Sequence, residues 1–239
     1  MSETHNHSEE HLESSDLLKD IVIGMSDGLT VPFALAAGMV NAVKGVDNPT
    51  HIITLAGIAE IAAGSIAMGL GGYLSGKTEA DHYNSELKRE YYEVDHLPEV
   101  EKAEVKLLFK EWGLSEEVQE KAVTELMKDK HQWVSFMMRH ELGLTEPDPK
   151  RARKSAFNIG ASYIVGGLIP LAPYFFVHDA LEGLEISVAI TLVCLFVFGY
   201  FKSKLTGINP WSGGLKVMLI GAAAAATAFV IARLVSGKE

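Results

Sequence analysis

Cysteine is all but missing from this chain of 239 residues: Cys194 stands alone. That excludes intrachain disulfides, a Cys-x-x-Cys redox pair and a thiolate zinc site within one chain. Its place inside an apolar run makes it a packing residue. An excess of positive charge is missing too. Lysine and arginine number 21 against 31 aspartates and glutamates, a net charge of −10, and nucleic acid is not expected as a partner. The first stretch, 1–16, lacks the positive n-region and cleavage site of a signal peptide. It is acidic and Ser-rich with His5, His7 and His11, and it reads as a disordered tail whose histidines offer at most unspecific metal chelation.

What the chain does have is long apolar runs. The modest mean hydropathy of +0.14 averages very apolar segments with one strongly charged block. Five segments reach the roughly 17 to 25 residues that a bilayer core requires: Leu17 to Val43, His51 to Gly76, Ser155 to Val177, Leu184 to Phe201 and Gly213 to Val235. Between the second and third lies a polar block rich in Glu and Lys. The expected fold is therefore all-α: a polytopic membrane protein with five transmembrane helices and a three-helix cytoplasmic metal-binding insert. The expected divisions are a tail (1–16), helices one and two (17–76), the insert (77–154) and helices three to five (155–239). Lys150, Arg151, Arg153 and Lys154 before the third span and Lys202 and Lys204 after the fourth place those loops, the insert and the N-terminus in the cytoplasm by the positive-inside rule.

Two carboxylates sit inside apolar runs, Asp27 in the first and Glu60 in the second. An acid near the middle of a span costs about 2.5 to 3.5 kcal/mol even on lenient insertion scales, so the default reading is an ion or proton pathway. Glu60, Gly64 and Met68 recur every four residues along the second span, covering roughly 12 Å of helix. Counted inward from the cytoplasmic ends, Asp27 and Met68 fall at similar depth, with Glu60 nearer the midplane. Carboxylate with thioether suits softer divalent transition ions rather than Mg²⁺ or Ca²⁺, although a methionine taken alone also reads as packing. Pro32, Pro170 and Pro173 interrupt the first and third spans, where each removes a backbone donor. Runs of glycine and alanine in the spans favour close helix packing.

The insert reads as helices over about Thr78 to Asp95, Glu99 to Trp112 and Ser115 to Leu142, with breaks at Gly113 and Gly143 and Ser115 as N-cap. Glu86, Glu90 and Glu93 form one acidic stripe at helical spacing. Glu101 and Glu104 are one turn apart on the next helix, and Met137 and Met138 lie within a turn of Glu141. Singly, each of these glutamates fits a solvated face. Grouped, they allow convergent oxygen ligands. Two Glu-x-x-His patterns, Glu79 to His82 and Glu93 to His96, match the spacing of di-iron carboxylate bundles. Such a bundle needs four helices where three are expected, so a membrane-bound ferritin-like iron-binding or oxidising protein is the alternative reading.

The stretch Ser26-Asp27-Gly28-Leu29-Thr30-Val31-Pro32-Phe33, the segment Glu60 to Gly72 and the run Pro170-Leu171-Ala172-Pro173-Tyr174 resemble the vacuolar iron transporter family over nearly the whole chain after Asp16. The resemblance implies a homodimer of five-span subunits, not an enzyme, that moves cytosolic Fe²⁺ across a membrane in exchange for protons. Mn²⁺, Zn²⁺ and Co²⁺ are possible further cargoes, and no prosthetic group is implied. It implies a pore at the dimer interface with Asp27, Glu60 and Met68 in the transport pathway. It further implies metal ligands at Glu90, Glu93, Glu101, Glu104, Met137, Met138 and Glu141. The membrane would be vacuolar in a eukaryote and the cell membrane in a bacterium.

Overall fold

The computed structural model describes residues 16–236, and among them all regular structure is helical. The segment carrying His5, His7 and His11 lies outside the described residues. The chain forms two compact units, one of residues Leu74–Ala152 and the other of the residues on either side.

The larger unit holds α1 (Asp16–Ala42), the first part of α2 (Pro49–His96), α6 (Arg151–Leu171) with a short 3-10 turn (Ala172–Phe175), α7 (Ala180–Leu205) and α8 (Pro210–Ser236). All five helices are long and apolar enough to cross a membrane. Their starts follow from local chemistry. Pro49 and Pro210 open α2 and α8, where a missing N–H costs nothing. The Asp179 side chain accepts from the N–H groups of Leu181 and Glu182 at 2.8 and 3.0 Å. That cap lets α7 begin four residues before the apolar run expected at Leu184.

Small residues set the packing. A Cβ added at Gly24 or Gly28 of α1 would strike the backbone of Ile159 or Tyr163 on α6, and one at Gly69 of α2 would strike Ala156. Such close approach is how helices associate where lipid is the solvent. α1, α7 and α8 pack on one another, and Ala36, Val40, Ile53, Ile61, Leu171 and Tyr174 form one core cluster. Pro170 lies in the last turn of α6, and the buried Ser187 hydroxyl donates to its carbonyl oxygen at 2.7 Å. Outward, large apolar side chains stay uncovered, Val193 by 63 % and Phe157 by 76 %, as a lipid-facing surface requires.

The smaller unit contains the latter part of α2, then α3 (Pro98–Glu111), α4 (Glu116–Leu126) and α5 (Lys130–His140). The single helix expected from Ser115 to Leu142 is two. Helical structure lapses over residues 127–129, and the Asp129 side chain restarts it by accepting from the N–H groups of His131 and Gln132 at 2.9 and 3.2 Å. The unit therefore has four helical segments in place of three. Ser115 occupies the N-cap of α4 in extended conformation, but its side chain makes no capping bond. Gly113 and Gly143 end α3 and α5 at φ of +82° and +65°, a conformation open to glycine at little cost. Val105, Phe109, Val123, Trp133, Val134, Met137 and Met138 make the core.

Candidate functional site

In the smaller unit, α2 and α3 bring Glu90, Glu93 and Glu101 together, with one carboxylate oxygen of each within 4.8 Å of the others. Two of the three are unusual for glutamate. Glu90 is 2 % exposed and Glu101 3 %, and among the described residues the Oε2 atom of each is buried with no hydrogen-bond partner. Burying a carboxylate without a donor is costly, and the cost falls away when a cation or a proton arrives. Glu101 has accordingly been pushed up to about 7, first by burial and then by the charges of Glu104, Glu90, Glu93 and Glu141. Glu141, at the exposed C-cap of α5, is raised by partial desolvation and then by Glu104 and Glu93. Five acids thus act on one another electrostatically.

The remaining expected residues divide. Glu86 shares the stripe but is held by Arg89 at 3.0 Å, and Arg89 also contacts Glu93 at 3.4 Å. An ion bound by Glu93 would compete with that guanidinium. Met137 and Met138, 0 % and 2 % exposed, are core side chains packed with Val105 and Trp133. His82 and His96, the histidines of the Glu-x-x-His patterns, are exposed. His96 is stacked on Tyr92 and its Nδ1 lies 2.8 Å from the Tyr92 carbonyl oxygen. With four segments present, helix count no longer argues against a di-iron bundle. The position of the histidines does.

In the larger unit, Glu60 is half-buried on α2, and its Oε1 accepts a 2.5 Å hydrogen bond from the Tyr163 hydroxyl on α6. Its Oε2 is buried without a hydrogen-bond partner among the described residues. Asp27 is half-buried on α1, and both it and Glu60 act electrostatically on Tyr163. Gly28 and Gly64 make room for that tyrosine: a Cβ at Gly28 would meet its backbone, and one at Gly64 its ring and hydroxyl. Gly64 thus makes room for Tyr163. Met68 is half-buried two turns beyond Glu60.

Two residues of this constellation escaped the sequence reading. Tyr163 joins α6 to the acid on α2, and its signal was a phenol inside an apolar run, which needs a partner when buried. Asp20, one heptad before Asp27 and so on the same side of α1, is 1 % exposed. It accepts from Ser155 Oγ at 3.0 Å and from Asn158 Nδ2 at 3.3 Å, tying α1 to the start of α6.

Apolar helices carrying carboxylates, together with a compact acidic helical unit, define an integral membrane protein built to handle cations. The class follows from the geometry. The chain belongs to the VIT family, whose model matches residues 18–233. It is 48 % identical over 229 residues to "Vacuolar iron transporter 1" of Tulipa gesneriana, covering 96 % of this chain and 91 % of that protein. It is 47 % identical to "Vacuolar iron transporter 1" of Arabidopsis thaliana (96 % and 90 %). With "Protein CCC1" of Saccharomyces cerevisiae it shares 38 % identity, over 91 % of this chain and 69 % of the yeast protein.

Proposed function

We propose that this chain is an iron transporter of the vacuolar membrane, moving cytosolic Fe²⁺ into the vacuole in exchange for protons and accepting Mn²⁺ as a second cargo. The observation that carries the reading is the pair of buried, donor-free carboxylate oxygens on Glu90 and Glu101 within the Glu90, Glu93 and Glu101 group. The names of the plant relatives supply the metal.

In this reading the insert faces the cytoplasm, and Glu90, Glu93, Glu101, Glu104 and Glu141 collect the ion, while Met137 and Met138 serve as softer ligands only by turning out of the core in which they pack. Metal binding displaces protons from carboxyls held partly protonated. Glu101, poised at about 7, gives up a fraction of a proton at neutral pH as the cation arrives. Asp27, Glu60 and Met68 form the membrane path, and the buried Oε2 of Glu60 can take a proton or face a cation. The chain acts as a homodimer. The outward stripe Leu55, Ile58, Ile66 and Leu70 on α2, the helix that bears Glu60, supports a second copy beside the path.

The test is Fe²⁺ uptake by proteoliposomes under anaerobic conditions with a pH dye inside. Wild type is expected to drive proton movement opposite to metal, and Asp27→Asn, which keeps shape and removes charge, to lose flux while remaining folded. Metal flux without a proton signal would make the protein a uniporter, and wild-type flux from the folded variant would remove Asp27 from the path.

A further inference from the structure

A polar cavity lies in the larger unit at the N-terminal end of α2. The cavity is about 390 Å³ and is bounded by Asn48, Thr50, His51 and Thr54 at the start of α2 and by Tyr174 and His178 beyond α6, with Pro49, Phe175 and Val177. None of the residues so far assigned to iron or protons lines it.

Its chemistry is one-sided. No lining residue is a carboxylate, and each polar one can donate: two threonine hydroxyls, a phenol, an amide and two imidazoles, which keep an N–H in either protonation state. Two of these donors are buried and unused. Tyr174 is 2 % exposed and Thr54 8 %, and neither the phenol oxygen nor Thr54 Oγ1 has a hydrogen-bond partner among the described residues. Tyr174 is also fixed in place, since its ring occupies the space that a Cβ on Gly183 of α7 would fill and belongs to the core cluster with Ile53 and Leu171. Its hydroxyl therefore stays where it is when empty-handed. Two acids adjoin the lining in sequence: Asp179 is engaged at the N-terminus of α7, and Asp47, beside Asn48, is exposed and does not line the cavity. The cavity meanwhile lies at the N-terminus of α2, where the helix dipole favours negative charge.

We propose that this cavity is an oxyanion site that takes a phosphate group. A cavity lined by six residues that can donate offers more donors than the roughly four acceptor positions of a carboxylate can use. A phosphate presents at least three strong acceptor oxygens. The group can come as free inorganic phosphate or on a phospholipid headgroup, because both carry the same acceptors and the cavity lies at the end of a membrane-spanning helix.

The test is calorimetry on the purified full-length protein in maltoside micelles, which contain no phosphate. Inorganic phosphate and short-chain phosphatidic acid are titrated separately, against chloride at equal ionic strength. Wild type is expected to bind phosphate saturably, and Tyr174→Phe and Thr54→Val, which keep ring and volume, to bind at least tenfold more weakly with an unchanged helical spectrum. Saturation by phosphatidic acid alone assigns the site to a lipid headgroup, and saturation by both assigns it to the free ion. No saturable binding of either by the folded protein overturns the proposal, as does affinity unchanged in the Tyr174→Phe/Thr54→Val double variant. Binding of Zn²⁺ that His51→Gln abolishes, in protein that ignores phosphate, would make the cavity a cation site.

Discussion

Replacing Glu101 by Gln should change how the acidic unit responds to pH. In the folded unit this carboxyl has been lifted from 4.5 to about 7. A raised carboxyl binds its proton more tightly when folded than when unfolded. Its protonated state therefore favours the fold, that contribution is complete below about 4.5, and it is lost as pH rises through 7. Integrated between pH 5 and pH 8, the loss is about 2.5 kcal/mol, at 1.36 kcal/mol per pH unit. For a unit of this size, about 4 to 8 °C per kcal/mol makes that roughly 10 to 20 °C in melting temperature. The assay is thermal unfolding of metal-free, full-length protein in micelles, read by the fluorescence of Trp112 and Trp133 in a Trp211→Phe background, since those two tryptophans lie in the acidic unit. Wild type should melt higher at pH 5 than at pH 8, and Glu101→Gln should remove a large part of that difference but not all of it, because burial lifts Glu90 to about 7 as well. Mn²⁺ at pH 8 should restore the wild type, a hundredfold excess over Kd adding about 2.7 kcal/mol, and restore the variant less. If the two proteins show the same pH dependence without metal, Glu101 is not held protonated by its surroundings and the charge argument fails.

Tyr163→Phe removes the donor to Glu60 and should slow Fe²⁺ flux at least severalfold with little loss of yield, a lost hydrogen bond to a charged acceptor being worth about 1.5 to 3 kcal/mol; unchanged flux would make the pair purely structural. Gly64→Val should lower the melting temperature of the detergent-solubilised protein, because its side chain meets the Tyr163 ring and overpacking costs about 1 to 3 kcal/mol; a stable variant would show that the tyrosine can yield. Met68→Leu keeps volume and removes the soft ligand, so Fe²⁺ uptake by proteoliposomes should fall while expression holds; equal uptake makes Met68 a packing residue. Gln at Glu90, Glu93, Glu101 and Glu104 together should weaken Zn²⁺ binding by calorimetry while circular dichroism stays helical, and equal affinity would mean that these acids hold no metal.

Hydropathy was enough to find the five long helices, because twenty apolar residues in a row have few other uses. It could not find the division of the third insert helix. Nothing in Met127-Lys128-Asp129 forbids a helix, and the break depends on Asp129 turning its carboxylate back to His131 and Gln132. The acidic grouping was legible as spacing, yet the burial of Glu90 and Glu101 was not, since glutamates among lysines have the pattern of a wetted surface. Tyr163 was hidden for another reason. Its bond to Glu60 joins positions 103 residues apart, and no periodicity within one helix encodes a partner on another.

That separation bears on how the protein is made. Asp20 finds Ser155 only after 135 further residues have been synthesised, and at about 5 to 20 residues per second that takes roughly 7 to 27 s. Glu60 waits for Tyr163 in the same way. Through this interval the first two spans must stay in the bilayer, or at the insertion machinery, with acids whose donors from α6 do not yet exist. Assembly of the membrane unit is then timed by the emergence of one late helix. Damage to Ser155, Asn158 or Tyr163 should appear during biogenesis, as early spans that insert poorly or are degraded, before it appears as a defect in transport.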